Sequence, residues 1–211
     1  MDKILKDALA DVNVDRIIFC NIAWMKEYKG YKDSDKAIGG GSYYDDWKHE
    51  QFNFLNMDGK YYGYVQPPIS AHKIESINLK RIEPSCDPED EELDDVLIIW
   101  TATSPEPDYK GTYIVGWYKH AKVYKYSQPR IGYDHYSYYF SADVDNCVLL
   151  EEKERLNPKW KIPRGGEYGE GWMGRSNVWY ANIDYNKLDQ ETIDRIVELV
   201  SKRVRTIYLY V

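Results

Sequence analysis

Trp24, Trp100 and Trp117 each lie in or beside a predicted strand and are flanked by small or polar residues. Two flat aromatic faces across a slot can sandwich a planar base, each stack contributing roughly 1–3 kcal/mol. Tyr43 offers a further face. Asn21, Ser42, Asn53, Gln66, Thr101, Ser176 and Asn177 are the polar candidates for reading a base edge. The plainer alternative for any one Trp is packing inside the sheet. For phosphate, the candidates are Lys159, Lys161, Arg164 and Arg175, in a stretch rich in Trp, Gly, Pro and Arg.

Enzymatic readings find less support. The four histidines are scattered, and His49-Glu50 lacks the second His of a HExxH zinc site. GxSxG, Walker A and GxGxxG motifs are missing as well. Asp45, Asp46, His49 and Glu50 could hold a metal and activate water as a nuclease does, although a solvated turn is the simpler account. Gly39–Ser42 (GGGS) must be a loop. Without a following Lys-Ser/Thr pair it is better read as the edge of a site than as a phosphate cradle. No cofactor, metal or catalytic residue is expected.

Composition agrees with binding. The chain has 7 Trp and 21 Tyr against 4 Phe, and Trp and Tyr suit half-wet surfaces, though most of the tyrosines read as strand scaffold. Net charge is −7, which by itself opposes a polyanionic partner. Seven of the acids fall within Asp87–Asp95, however, and that run reads as a solvated loop. Residues 110–211 carry 16 Lys and Arg against 13 Asp and Glu.

At 211 residues one domain spanning 1–211 is expected, with 187–211 as a C-terminal helical extension. Three widely spaced cysteines, Cys20, Cys86 and Cys147, read as reduced thiols. No apolar run approaches the roughly 20 residues of a membrane span, and a cytoplasmic location is expected.

Helical spacing covers residues 2–11. Strands are expected at Arg16–Cys20, Tyr61–Gln66, Ile74–Ile82, Val96–Thr103, Thr112–Lys119, Val123–Tyr126, His135–Ala142 and Cys147–Leu150. Arg155–Asn182 reads as ordered coil. Asp189 caps an amphipathic helix with Ile193, Ile196, Val197 and Val200 on its apolar face and Arg195, Glu198, Lys202 and Arg203 on the other. Thr206–Val211 is expected to close the sheet. The class is α+β: a curved, mostly antiparallel sheet or barrel with two or three flanking helices.

Asp95–Pro105 (DVLIIWTATSP) followed by Tyr113–Tyr124 (YIVGWYKHAKVY) resembles the central strand pair of EVE domains and their YTH relatives in the PUA-like superfamily. Gly171–Tyr180 (GWMGRSNVWY) resembles the Gly-Gln-Ser-Asn-Val stretch of the modified-DNA-sensing N-terminal domains of HNH-type restriction endonucleases, with Arg175 where that stretch has Gln. Ile22–Tyr28, Gly40–Tyr43, His49-Glu50 and Asn53-Phe54 extend the resemblance over residues 16–181. It implies a PUA/EVE-like barrel that takes a flipped, methylated cytosine or adenine of double-stranded DNA between aromatic side chains. A cutting partner would lie on another chain or outside these residues. An RNA-binding PUA-like module, a nucleotide or small-ligand sensor and a metal-dependent nuclease are the alternatives.

Overall fold

The computed structural model describes residues 3–39, 49–68, 75–164, 172–174, 176–181 and 188–210. Its centre is β3 (Glu92–Thr103), mostly apolar and rich in β-branched residues from Val96 on, and its apolar neighbour β1 (Ile17–Ile22). They pair in parallel, Ile17 against Leu97 through Ile22 against Ala102. Strands this uniformly apolar are what a sheet covered on both faces requires.

The other edge of β3 pairs antiparallel with β4 (Thr112–Pro129), an 18-residue strand. Four short strands and one longer one complete the sheet. β7 (Lys161–Ile162) pairs with the start of β4, β6 (Cys147–Leu149) with Gly116–Tyr118, and β5 (Ser137–Asp143) with its distal half. β2 (Lys60–Gly63) lies outside β5, and β8 (Val178–Tyr180) lies outside β1. The order is β2-β5-β4-β3-β1-β8 with β6 and β7 also on β4. The α+β class is as expected. The barrel is not: β2 and β8 do not pair, so among the described residues the eight strands form an open mixed sheet.

Two expected strands are one. Thr112–Lys119 and Val123–Tyr126 both belong to β4, which passes between them through an irregularity where His120 (φ 50°) faces Asp95 (φ 59°). His120 Nδ1 and Asp95 Oδ1 are 2.7 Å apart there. The acidic run is only partly loop, because Glu92–Asp95 begin β3 with Leu93 buried and Lys122 across the ladder joined to Glu92 and Asp94. Within Ile74–Ile82 the described part is not a strand. Asn78 accepts from the Arg81 N–H and starts the short helix α2 (Leu79–Ile82).

The remaining helices are α1 (Lys3–Ala8), α3 (Glu152–Arg155) and α4 (Gln190–Tyr208). Asp189 caps α4 by accepting from the Thr192 N–H at 2.8 Å. Ile193, Ile196, Val200, Val204 and Ile207 are buried, each such side chain contributing about 1.5–3 kcal/mol. Thr206–Tyr208 extend this helix and do not form a strand. Arg203, expected on the polar face, is 8 % exposed and donates to the Lys161 and Pro158 carbonyls. No helix among the described residues is long and apolar enough to cross a membrane.

Candidate nucleic-acid interface

Strand register decides what the tryptophans can do. Trp100 pairs with Gly116 and Ile99 with Trp117, so Trp100 and Trp117 project from opposite faces of the sheet. Both are fully buried. Trp100 packs edge-on to Tyr118 and Phe140, whereas Trp117 packs against Trp160 and Tyr210. A single base cannot lie between them, which corrects the expected slot. Trp24 is 2 % exposed and lies beneath the Arg155 guanidinium, 5.4 Å from its ring. Tyr43, Ser42 and Arg175 lie outside the described residues.

Asn53 is likewise interior. Its side chain clamps the backbone of Tyr64, donating to the carbonyl at 3.0 Å and accepting from the N–H at 2.8 Å. Gln66 is taken up by the Tyr64 hydroxyl and Glu75.

Four of the polar candidates do come together, at one end of the sheet. Asn21 is the parallel partner of Thr101 on β3, so the two share a face. The Asn21 N–H donates to the Asn177 carbonyl at 2.7 Å. Ser176 precedes Asn177 and turns the chain into β8 by a bond from its Oγ to the Val178 carbonyl. Thr101 Oγ1 is occupied by the Cys20 carbonyl, but Asn21 Oδ1 is buried without a hydrogen-bond partner among the described residues. A buried carbonyl oxygen left unpaired costs about 1–3 kcal/mol, a cost that an entering N–H donor would remove.

Arg164 joins this end to a groove. It donates to the carbonyls of Gly174 and Ser176, and it also lines a groove of about 610 Å³ with Lys110, Lys161 and Arg203. β7, Lys110–Thr112 and Leu199 and Arg203 of α4 line the groove, β7 being paired with the start of β4 and joined to α4 by the Arg203 bond to the Lys161 carbonyl. Gly111 (φ 134°) carries the Lys161 stem across it: a Cβ there would sit 2.8 Å from Lys161 Cε. Among the described residues no carboxylate lines the groove. Burial pushes the Arg164 pKa below its ordinary value without removing the charge at neutral pH. A smaller groove on α4, which shares Leu199 and Arg203 with it, adds Arg195, Lys202 and Glu198.

Of the expected phosphate set, Lys161 and Arg164 thus line the groove. Lys159 does not: it pairs with Glu154 at 2.7 Å. Lys110 and Arg203 went unrecognised in the sequence, Lys110 as a loop residue before Gly111 and Arg203 because helical spacing alone placed it on the solvent side.

His49 and Glu50, the described half of the nuclease set, hold backbone. Glu50 accepts from the Ala23 N–H at 3.0 Å, and His49 Nδ1 accepts from the Ser137 N–H at 2.9 Å. Burial pushes the His49 pKa below its usual value. Asp45 and Asp46 lie outside the described residues.

No family model, curated protein or solved structure matches the chain.

Proposed function

We propose that the protein binds nucleic acid, with the sugar-phosphate backbone in the Lys110–Arg203 groove and a base presented to the Asn21–Asn177 end of the sheet. The observation that carries this reading is a groove to which the described residues contribute the cations Lys110, Lys161, Arg164 and Arg203 and no acid, in a chain of net charge −7. Phosphate contacts supply most non-specific affinity, and cations facing one groove are what they need.

Ser176 and Asn177 support the same reading, since Arg164 ties their segment to the groove and Asn21 ties it to the central strands. The resemblance to EVE domains adds modified double-stranded DNA as the form of the ligand. Asn21 Oδ1 would then accept from an amino group on the base edge. The base has to leave its stack to reach a sheet end, at a cost of a few kcal/mol.

Titration of labelled DNA and RNA duplexes at several salt concentrations tests the groove. The reading expects affinity that falls steeply with salt and falls less steeply in Lys110→Gln and Lys161→Gln. Binding insensitive to salt, or unchanged in both variants, would contradict it.

A further inference from the structure

We propose that the pocket at Arg130, at the opposite end of β4 from the basic groove, binds a small carboxylate. The pocket has a volume of about 90 Å³ and is lined by Met57, Asp58, Tyr62, Arg130, Ile131 and Tyr138. The Tyr62 and Tyr138 rings are 4.7 Å apart and make its aromatic wall, while Ile131, 85 % exposed, forms the rim.

Arg130 is 3 % exposed, yet its guanidinium meets no carboxylate among the described residues. Among the described residues Nη2 donates to the Tyr62 carbonyl at 2.7 Å, Nη1 reaches only the Met57 sulfur at 3.9 Å, and Nε has no acceptor. Arg155 provides the contrast within the same molecule. It is 1 % exposed, and its Nε, Nη1 and Nη2 each reach a carbonyl oxygen, those of Leu150, Met25 and Lys26, at 2.7, 2.5 and 2.6 Å. Arg155 is a fully hydrogen-bonded structural cation; Arg130, which also lies over the Phe52 ring at 5.4 Å, lines an opening with its Nε–H unpaired among the described residues.

Burial lowers the Arg130 pKa to about 10, so the group remains charged at neutral pH. A charge removed from water calls for an opposite charge and for acceptors on its N–H groups, and a carboxylate supplies both in the planar geometry of a guanidinium edge. Asp58 on the rim opposes a dianion, which favours a carboxylate over a phosphate. The volume admits a group of a few heavy atoms and no complete nucleobase.

The test follows the Arg130 Nε–H signal in ¹⁵N-labelled full-length protein, assigned through its own side-chain correlations, during titrations with sodium acetate, sodium phosphate and sodium chloride at constant pH. The expected result is a saturable shift with acetate, weaker with phosphate and absent with chloride. Acetate should also raise the melting temperature of the wild type and not of Arg130→Gln. No saturable shift with acetate, an equal shift with chloride, or tighter binding of phosphate would overturn the proposal, and because the signal is read in the wild type the result does not depend on the variant folding.

Discussion

The Asn21 N–H donates to the Asn177 carbonyl at 2.7 Å, fastening the end of β1 to the segment that Arg164 holds on its other side. Through these bonds the sheet end that holds Asn21 Oδ1, a buried acceptor unpaired among the described residues, adjoins a surface groove of cations. If that surface binds nucleic acid, the two parts separate experimentally, one controlling which base is held and the other how strongly the backbone is held.

For the groove, Lys161→Gln and Lys110→Gln should each lower the slope of log affinity against log salt by about 1 and weaken all sequences alike. Lys159→Gln should do neither, because Lys159 is paired with Glu154. Fluorescence anisotropy across a salt series reads both quantities.

For the base end, Asn21→Ala removes a buried oxygen that has no partner among the described residues, so its unfolding free energy in urea should be unchanged or raised by up to about 1 kcal/mol. Discrimination between bases should fall in the same variant. A loss of several kcal/mol would show that Asn21 is a structural residue.

Trp100 makes the opposite case. Trp100→Ala should cost about 3–5 kcal/mol by emptying the packing against Tyr118 and Phe140. Gly63→Ala should be destabilising by about 1–3 kcal/mol, since its Cβ would lie 2.6 Å from the Trp100 ring. Both are measured by chemical denaturation, and both changes should leave any correctly folded fraction binding normally.

His49 predicts a pH effect of definite sign. Its folded-state pKa is pushed below the ordinary 6.5 by burial, so the unfolded chain takes up the proton first as pH falls. The stability linked to His49 is therefore complete above about pH 6.5 and is lost as pH drops from there through the lower folded-state value. Thermal melts from pH 8 to 5 should show a decline in the wild type that is shallower in His49→Gln.

What could be read from the sequence was the local part. Val96–Thr103 and Ile17–Cys20 are legible because short, continuous apolar runs rich in β-branched residues admit few other structures. Thr206–Tyr208 misleads for the same reason. Thr, Ile and Tyr favour strands, yet Ile207 is buried from a helix whose packing outweighs that preference. Whether Trp100 and Trp117 face one another depends on the register between β3 and β4, which neither strand encodes alone. The groove was half legible: Lys161 and Arg164 stand out in a basic stretch, but Lys110 and Arg203 join them only when α4 and the start of β4 flank β7. Ser176 and Asn177 were named from the sequence, whereas their link to Asn21 is a product of the β1–β8 pairing.

The most direct measurement is a binding titration at fixed salt with two duplexes of one sequence, differing in a single methylated cytosine or adenine. Tighter binding of the modified duplex, with the difference reduced in Asn21→Ala, is the predicted result. Equal affinity for both duplexes, or none for either, would contradict the account.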